Sequence, residues 1–155
     1  TMHSLKPWLI ELIWFLLTGV VVFLVILPIR LEIYGFPFER TNIYFIVVFI
    51  TFLRWLLLLK TTPFHKIQAV KVIIGIAALW IMLYSIRQFG LFQNFLDEKG
   101  IQTITAHLSE SRQIALAKYI PSEFIFFAIG SILVCLMMPF RMLVSVWRTY
   151  NLNKS

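Results

Sequence analysis

The sequence predicts an all-α, polytopic integral membrane protein: four transmembrane helices in a bundle, plus an amphipathic interfacial segment on the extracytoplasmic side. Three observations carry this prediction. Of 155 residues, 60% are hydrophobic and 14% charged, whereas soluble domains lie near 45–50% and about 25%. Four apolar runs approach the roughly 20 residues needed to cross a hydrocarbon core. The charges collect in the tails and connectors. One domain, residues 1–155, uses the whole length.

The first helix is expected at about 8–29. Trp8 to Ile29 is interrupted only by Glu11 and Thr18, and Pro7 stands where a first-turn proline is tolerated. The apolar region of a cleaved signal peptide spans about 7–15 residues and ends in small residues. This run is longer and ends Leu27-Pro28-Ile29-Arg30, so a retained helix is expected. Arg30 to Asn42 holds Gly35, Pro37 and four charges, and reads as a connector.

The second helix is expected at 43–59, at the short end of the spanning range. A basic turn follows, Lys60 to Lys71, in which Pro63 stops helical continuation. The third helix is expected at 70–87. Residues 88–120 are expected to form the outer-face segment: Phe89 to Leu96 is apolar, Asp97-Glu98-Lys99-Gly100 breaks the pattern, and Ile101 to Ile120 is mixed. A surface helix or a lid over the bundle both fit that composition. Pro121 and Ser122 then open a fourth helix, 123–147, with a kink expected at Pro139.

Four crossings put both termini and the basic turn on one side. That side carries Lys6, Arg54, Lys60, Lys66, Lys71, Arg141, Arg148 and Lys154 against Glu11, eight minus one, or +7. The opposite side carries six basic and six acidic residues, including Glu32, Glu110, Arg112 and Glu123, for a balance of zero. Excess Lys and Arg mark cytoplasmic segments, so both termini are expected in the cytoplasm and the protein in a bacterial inner (plasma) membrane. The basic surface then faces anionic lipid headgroups, and nucleic-acid binding is an unnecessary assumption.

Two groups of side chains are candidate sites. Glu11 lies roughly 6 Å inside the first helix and Arg54 roughly 9 Å from the same boundary, at 1.5 Å per residue. In antiparallel neighbours they share a depth and can form an intramembrane ion pair; alternatively Arg54 receives an anionic headgroup or a partner's carboxylate. His107, Glu110 and Arg112, in the outer segment, are a candidate docking surface. Small residues on the third helix (Gly75, Ala78, with Met82) and the fourth (Ala128, Ser131, Cys135) point to close packing of that pair.

No catalytic, cofactor-binding or metal-binding residues are expected. His3, His65 and His107 all lie outside the apolar runs, and the single cysteine excludes a cysteine cluster. Intramembrane catalysts and pumps keep paired ionisable groups within their spans, and none occurs between Val72 and Ile86 or between Phe124 and Phe140. A non-catalytic accessory or structural subunit of a larger membrane complex is the expectation. Phe45, Phe49, Phe52 and Trp55 on the second helix are expected to form its exterior towards partner subunits. A homo-oligomeric transporter or channel and a lipid-handling membrane enzyme are the alternatives.

Overall fold

Backbone amides in an apolar run have no partner but their own chain, and this protein is helical almost throughout. The computed structural model describes the backbone of residues 2–154 and the side chains of residues 6–152; Lys154, counted above with the basic end, keeps its side chain outside that range. The helices are α1 (Met2–Glu32), α2 (Glu39–Leu57), α3 (Gln68–Glu98), the single turn α4 (Gln102–Thr105) and α5 (Glu110–Lys154), with a short 3-10 turn at Leu59–Thr61. Among the described residues there is no strand. Lys6–Glu32, Glu39–Leu57, Gln68–Glu98 and Glu110–Leu152 are long and apolar enough to cross a membrane, which suggests a multi-pass membrane protein.

Helix α5 is the central element. It packs most extensively against α3, then α2, while α1 leans chiefly on α2. Its inner face reads Leu116, Ile120, Phe124, Ala128, Ser131, Cys135, Met138 and Met142, all buried. The spacing of three and four residues holds one side of the helix against its neighbours along the whole length.

Lengths differ sharply. The 19 residues of α2 reach about 28 Å, whereas the 31 of α3 reach about 46 Å and the 45 of α5 about 67 Å, at 1.5 Å per residue. Helices α3 and α5 therefore run well past α2. This corrects the separate surface segment expected over 88–120. Residues 88–98 continue α3, residues 110–120 belong to α5, and only the stretch between them is a connector. The α5 helix does not start at Pro121 but runs through it. Leu116 and Ile120 stand in phase with Phe124 and Ala128, so leaving the helix at Pro121 would expose two buried side chains. At the far end of α3, Gly100 adopts φ 79°, the left-handed conformation that stops a helix cheaply when no Cβ is present.

The extension is held by aromatic rings. Phe92 of α3 stacks on Phe124 of α5 at 3.8 Å between centroids, and Phe38 and Phe45 meet Phe124 edge-on at 6.1 and 5.4 Å. Ile29, Ile33 and Phe36 close the same cluster from the α1 side.

Helix α2 also corrects an expectation. Phe45 and Phe52 are buried, and Phe49 lies edge-on to Phe126 and Phe127. The bulky face is turned into the protein rather than outward. The complementary surface is on α5, where a Cβ on Gly130 would lie 2.7 Å from the Phe49 ring. One residue on, the Ser131 hydroxyl donates to the Phe45 carbonyl at 2.6 Å. On the other side of α5, a Cβ on Gly75 of α3 would meet Pro139 Cα at 3.4 Å. Ala78, Met82 and Cys135 share one core cluster, whereas Ala128 and Ser131 serve the aromatic cluster and α2.

Gly130→Ala is expected to lower stability in detergent by about 1–3 kcal/mol, because the Phe49 ring is already confined by two others. Gly19→Ala, where an added Cβ meets nothing, should leave stability unchanged or raise it by up to about 1 kcal/mol. Thermal unfolding of the two variants side by side checks the assignment of the α2–α5 contact.

Candidate functional site

Two buried polar centres join the helices, one at each end of α2. At the end shared by the start of α1 and the 58–67 turn, α1 presents Glu11 and α2 presents Arg54. They form an ion pair in which both residues are withdrawn from solvent, at 6% and 5% exposure. The same Glu11 oxygen, Oε1, accepts from Arg54 Nη2 and from Trp55 Nε1, the latter at 3.1 Å. Arg54 Nη1 reaches Thr61 Oγ1 at 3.4 Å, and its guanidinium carbon lies 5.6 Å from the centroid of the Trp14 ring. That ring supplies a cation–π contact on a face the carboxylate leaves free.

The turn is part of this centre. Thr61 and Thr62 hydroxyls donate back to Leu58 and Leu59 carbonyls at 2.7 and 2.6 Å, fixing the position of Thr61 beneath Arg54. Space beside the pair amounts to about 10 Å³, which holds no more than about one water. The arrangement positions α1 on α2.

The second centre lies where α2 begins. Asn42, fully buried, donates from Nδ2 to Oε1 of Glu123 on α5. The two remaining atoms, Asn42 Oδ1 and Glu123 Oε2, are buried without a hydrogen-bond partner among the described residues. A primary amide and a carboxylic acid can form a cyclic pair of hydrogen bonds, N–H to O and O–H to O. A proton on Oε2 would be the donor that Oδ1 lacks. Sequence patterning groups Glu123 with the solvated charges of its end and Asn42 with a connector. Their phase was the available signal: Asn42 stands three residues before Phe45 and Glu123 three after Ile120, each toward a buried face. Lys71 is similar, four residues before Gly75 on α3 and 2% exposed, with Nζ donating to Ser145 Oγ of α5 at 2.8 Å.

His107 and Arg112 converge on Glu32, and Glu110 does not join them. His107 Nε2 contacts the Glu32 backbone carbonyl at 2.8 Å, and Arg112 Nη1 bridges both carboxylate oxygens of Glu32 at 2.9 and 3.0 Å. Both hold the end of α1, His107 from the connector before α5 and Arg112 from the first turn of α5, while Glu110 is exposed. Tyr119 adds a third tie, its hydroxyl donating to the Val25 carbonyl at 2.6 Å. Among the described residues no three His, Cys, Asp or Glu side chains come within reach of one metal ion. No family model matches the chain, and no curated protein or solved structure is significantly similar to it.

Removing one member of a buried ion pair strands the other, at a cost of about 3–5 kcal/mol. Glu11→Gln and Arg54→Gln should each destabilise strongly, and the double variant should fall well short of their sum. Additive losses in detergent unfolding would break the assignment. At the second centre, Glu123→Gln keeps an acceptor for Asn42 Nδ2 and adds the donor that a reciprocal pair needs, and should match or exceed the wild type in stability. Glu123→Ala leaves Asn42 unpaired and should cost about 1–3 kcal/mol. Equal loss in both variants would argue against a reciprocal pair.

Proposed function

We propose that the chain is a non-catalytic, multi-pass membrane protein that serves as an accessory subunit of a larger membrane complex. The observation that carries this reading is the use made of its buried charges: Glu11, Arg54 and Lys71 are each engaged in contacts between helices. Between the two ends, the interior is lined by Val48, Phe52, Ala78, Val134, Cys135 and Met138, and its polar groups are hydroxyls engaged with neighbouring helices, Ser85 with Tyr44 and Ser131 with the Phe45 carbonyl. That lining places no ionisable Asp, Glu, Lys, Arg or His in the middle of the bundle, which supports a structural role over a charged relay.

Helix α1 is the element offered to a partner. It is tied at one end by Glu11 and at the other by Glu32 and Val25. Its outward side keeps Trp8, Leu12, Phe15, Leu16, Phe23 and Leu24 exposed. The opening at Gly19 on this helix, where a Cβ would touch nothing, would let a partner helix approach closely. The basic end, with both termini, faces the cytoplasm, and the α3–α5 extension projects on the opposite side of a bacterial inner membrane. The surplus of Lys and Arg around the turn and tails supports this orientation.

A homo-oligomeric transporter or channel is the second reading. It is favoured by Asn42 and Glu123, whose unpartnered oxygens are the kind of group a permeating ion or proton could engage. Extraction from the native membrane in mild detergent and mass measurement of the intact particle distinguish the two. Other chains in fixed stoichiometry are the expected result. A particle made of copies of this chain alone would overturn the accessory role in favour of the second reading.

A further inference from the structure

Where the turn after α2 meets α3 and α5 at the basic end, a cavity of about 260 Å³ is lined by Lys60, His65, Lys71, Arg141 and Arg148, with no carboxylate. None of the four cations has an ion-pair partner among the described residues. Two of them are held in place rather than merely present. Lys71 is buried and anchored by Ser145. Arg141 donates Nε to the Leu56 carbonyl at 3.0 Å, which leaves both terminal amino groups of its guanidinium for a ligand. Four like charges brought together without a counter-ion cost energy that an anion would recover.

A second feature shares two of the cavity's residues. Arg141 and Arg148 also stand at one end of an apolar groove of about 440 Å³ between α2 and α5, lined by Leu56, Leu57, Met137, Phe140 and Val144. Leu57, Met137, Phe140 and Val144 are exposed on the outer surface of the helices, where a lipid chain would lie. A cationic cavity and an apolar groove that meet at Arg141 and Arg148 match a molecule with an anionic head and a long hydrocarbon tail.

We infer that this is a binding site for an anionic glycerophospholipid, with the phosphate between Arg141, Arg148, Lys71 and Lys60 and one acyl chain in the α2–α5 groove. Guanidinium groups present paired N–H donors to phosphate oxygens, and the ammonium groups add charge. Basic pockets between transmembrane helices at the cytoplasmic leaflet bind such headgroups. The inference rests on the multi-pass membrane reading, not on the accessory role, and a lipid can occupy the site whatever the chain assembles with.

Native mass spectrometry of the delipidated full-length protein tests it, with phosphatidylglycerol and phosphatidylcholine of identical chains as probes. The expected result is a preference of about tenfold or more for phosphatidylglycerol. Arg148→Gln combined with Lys60→Gln changes two exposed residues and should bring that preference near unity. Arg87→Gln, exposed at the opposite end, should leave it intact. Arg141→Gln should also reduce it, but the exposed pair decides the outcome if that variant does not fold. Equal binding of the two lipids, or a preference untouched by the Arg148/Lys60 variant, would overturn the site. Displacement of phosphatidylglycerol by millimolar inorganic phosphate, with no dependence on acyl length, would reassign the cavity to a free anion. Orientation is read separately, by labelling single cysteines placed at the two termini, so a wrong topology cannot be mistaken for a failed lipid site.

Discussion

A carboxylate and a guanidinium removed from water persist only as a pair, and the Glu11–Arg54 contact shows what that constraint does to this fold. In an apolar surrounding, one leucine face is as good as another, and greasy packing alone does not decide which helix lies beside which. The few polar groups decide it. Glu11 brings α1 to α2, Asn42 and Ser131 join α2 to α5, and Lys71 and Ser145 join α3 to α5. Each contact fixes both a neighbour and a depth. Helix α1 depends on them most, because it packs least extensively of the four long helices and its outward side is bare.

Shape complementarity works inside the frame those contacts set. The aromatic side of α2 fits α5 because Gly130 leaves room for the Phe49 ring, while Gly75 lets α3 approach Pro139 on another side of the same helix. Two close approaches on different sides make α5 the hub. Its length carries the consequence further: the part beyond α2 forms, with α3 and the end of α1, a cap sealed by Phe92, Phe124 and Leu116. Arg112 and His107, exposed as their composition suggests, tie that cap to the end of α1 by contacting Glu32.

The two ends differ in how their charges are balanced. At the cap, basic residues meet acids across helices, as in Arg112–Glu32 and Arg30–Glu39. At the other end the buried acid Glu11 is consumed by Arg54, and Lys60, Lys71, Arg141 and Arg148 converge with no acidic partner among the described residues. An unbalanced cluster held in position is poised for a ligand in a way that a balanced one is not. The apolar groove beside it narrows the ligand to an amphiphile.

Composition and apolar run length were enough to specify helices, their number and their approximate centres, because hydrocarbon-like surroundings demand internally satisfied backbone and a set length. Charge counting separated the two ends, and depth counting from the helix boundaries put Glu11 and Arg54 at one level. Helix ends were not legible. Pro121 reads locally as a start, yet burial of Leu116 and Ile120 carries α5 through it. Nor was the direction of each face: Phe45 and Phe52 look outward or inward with equal logic until Gly130 and Ala128 supply a surface to receive them. Asn42–Glu123 and the convergence of Lys71 with Arg141 arise between residues far apart in the chain. Only the packing of three helices brings such residues together, since one-dimensional periodicity gives the phase of a side chain on its own helix and nothing about what stands opposite.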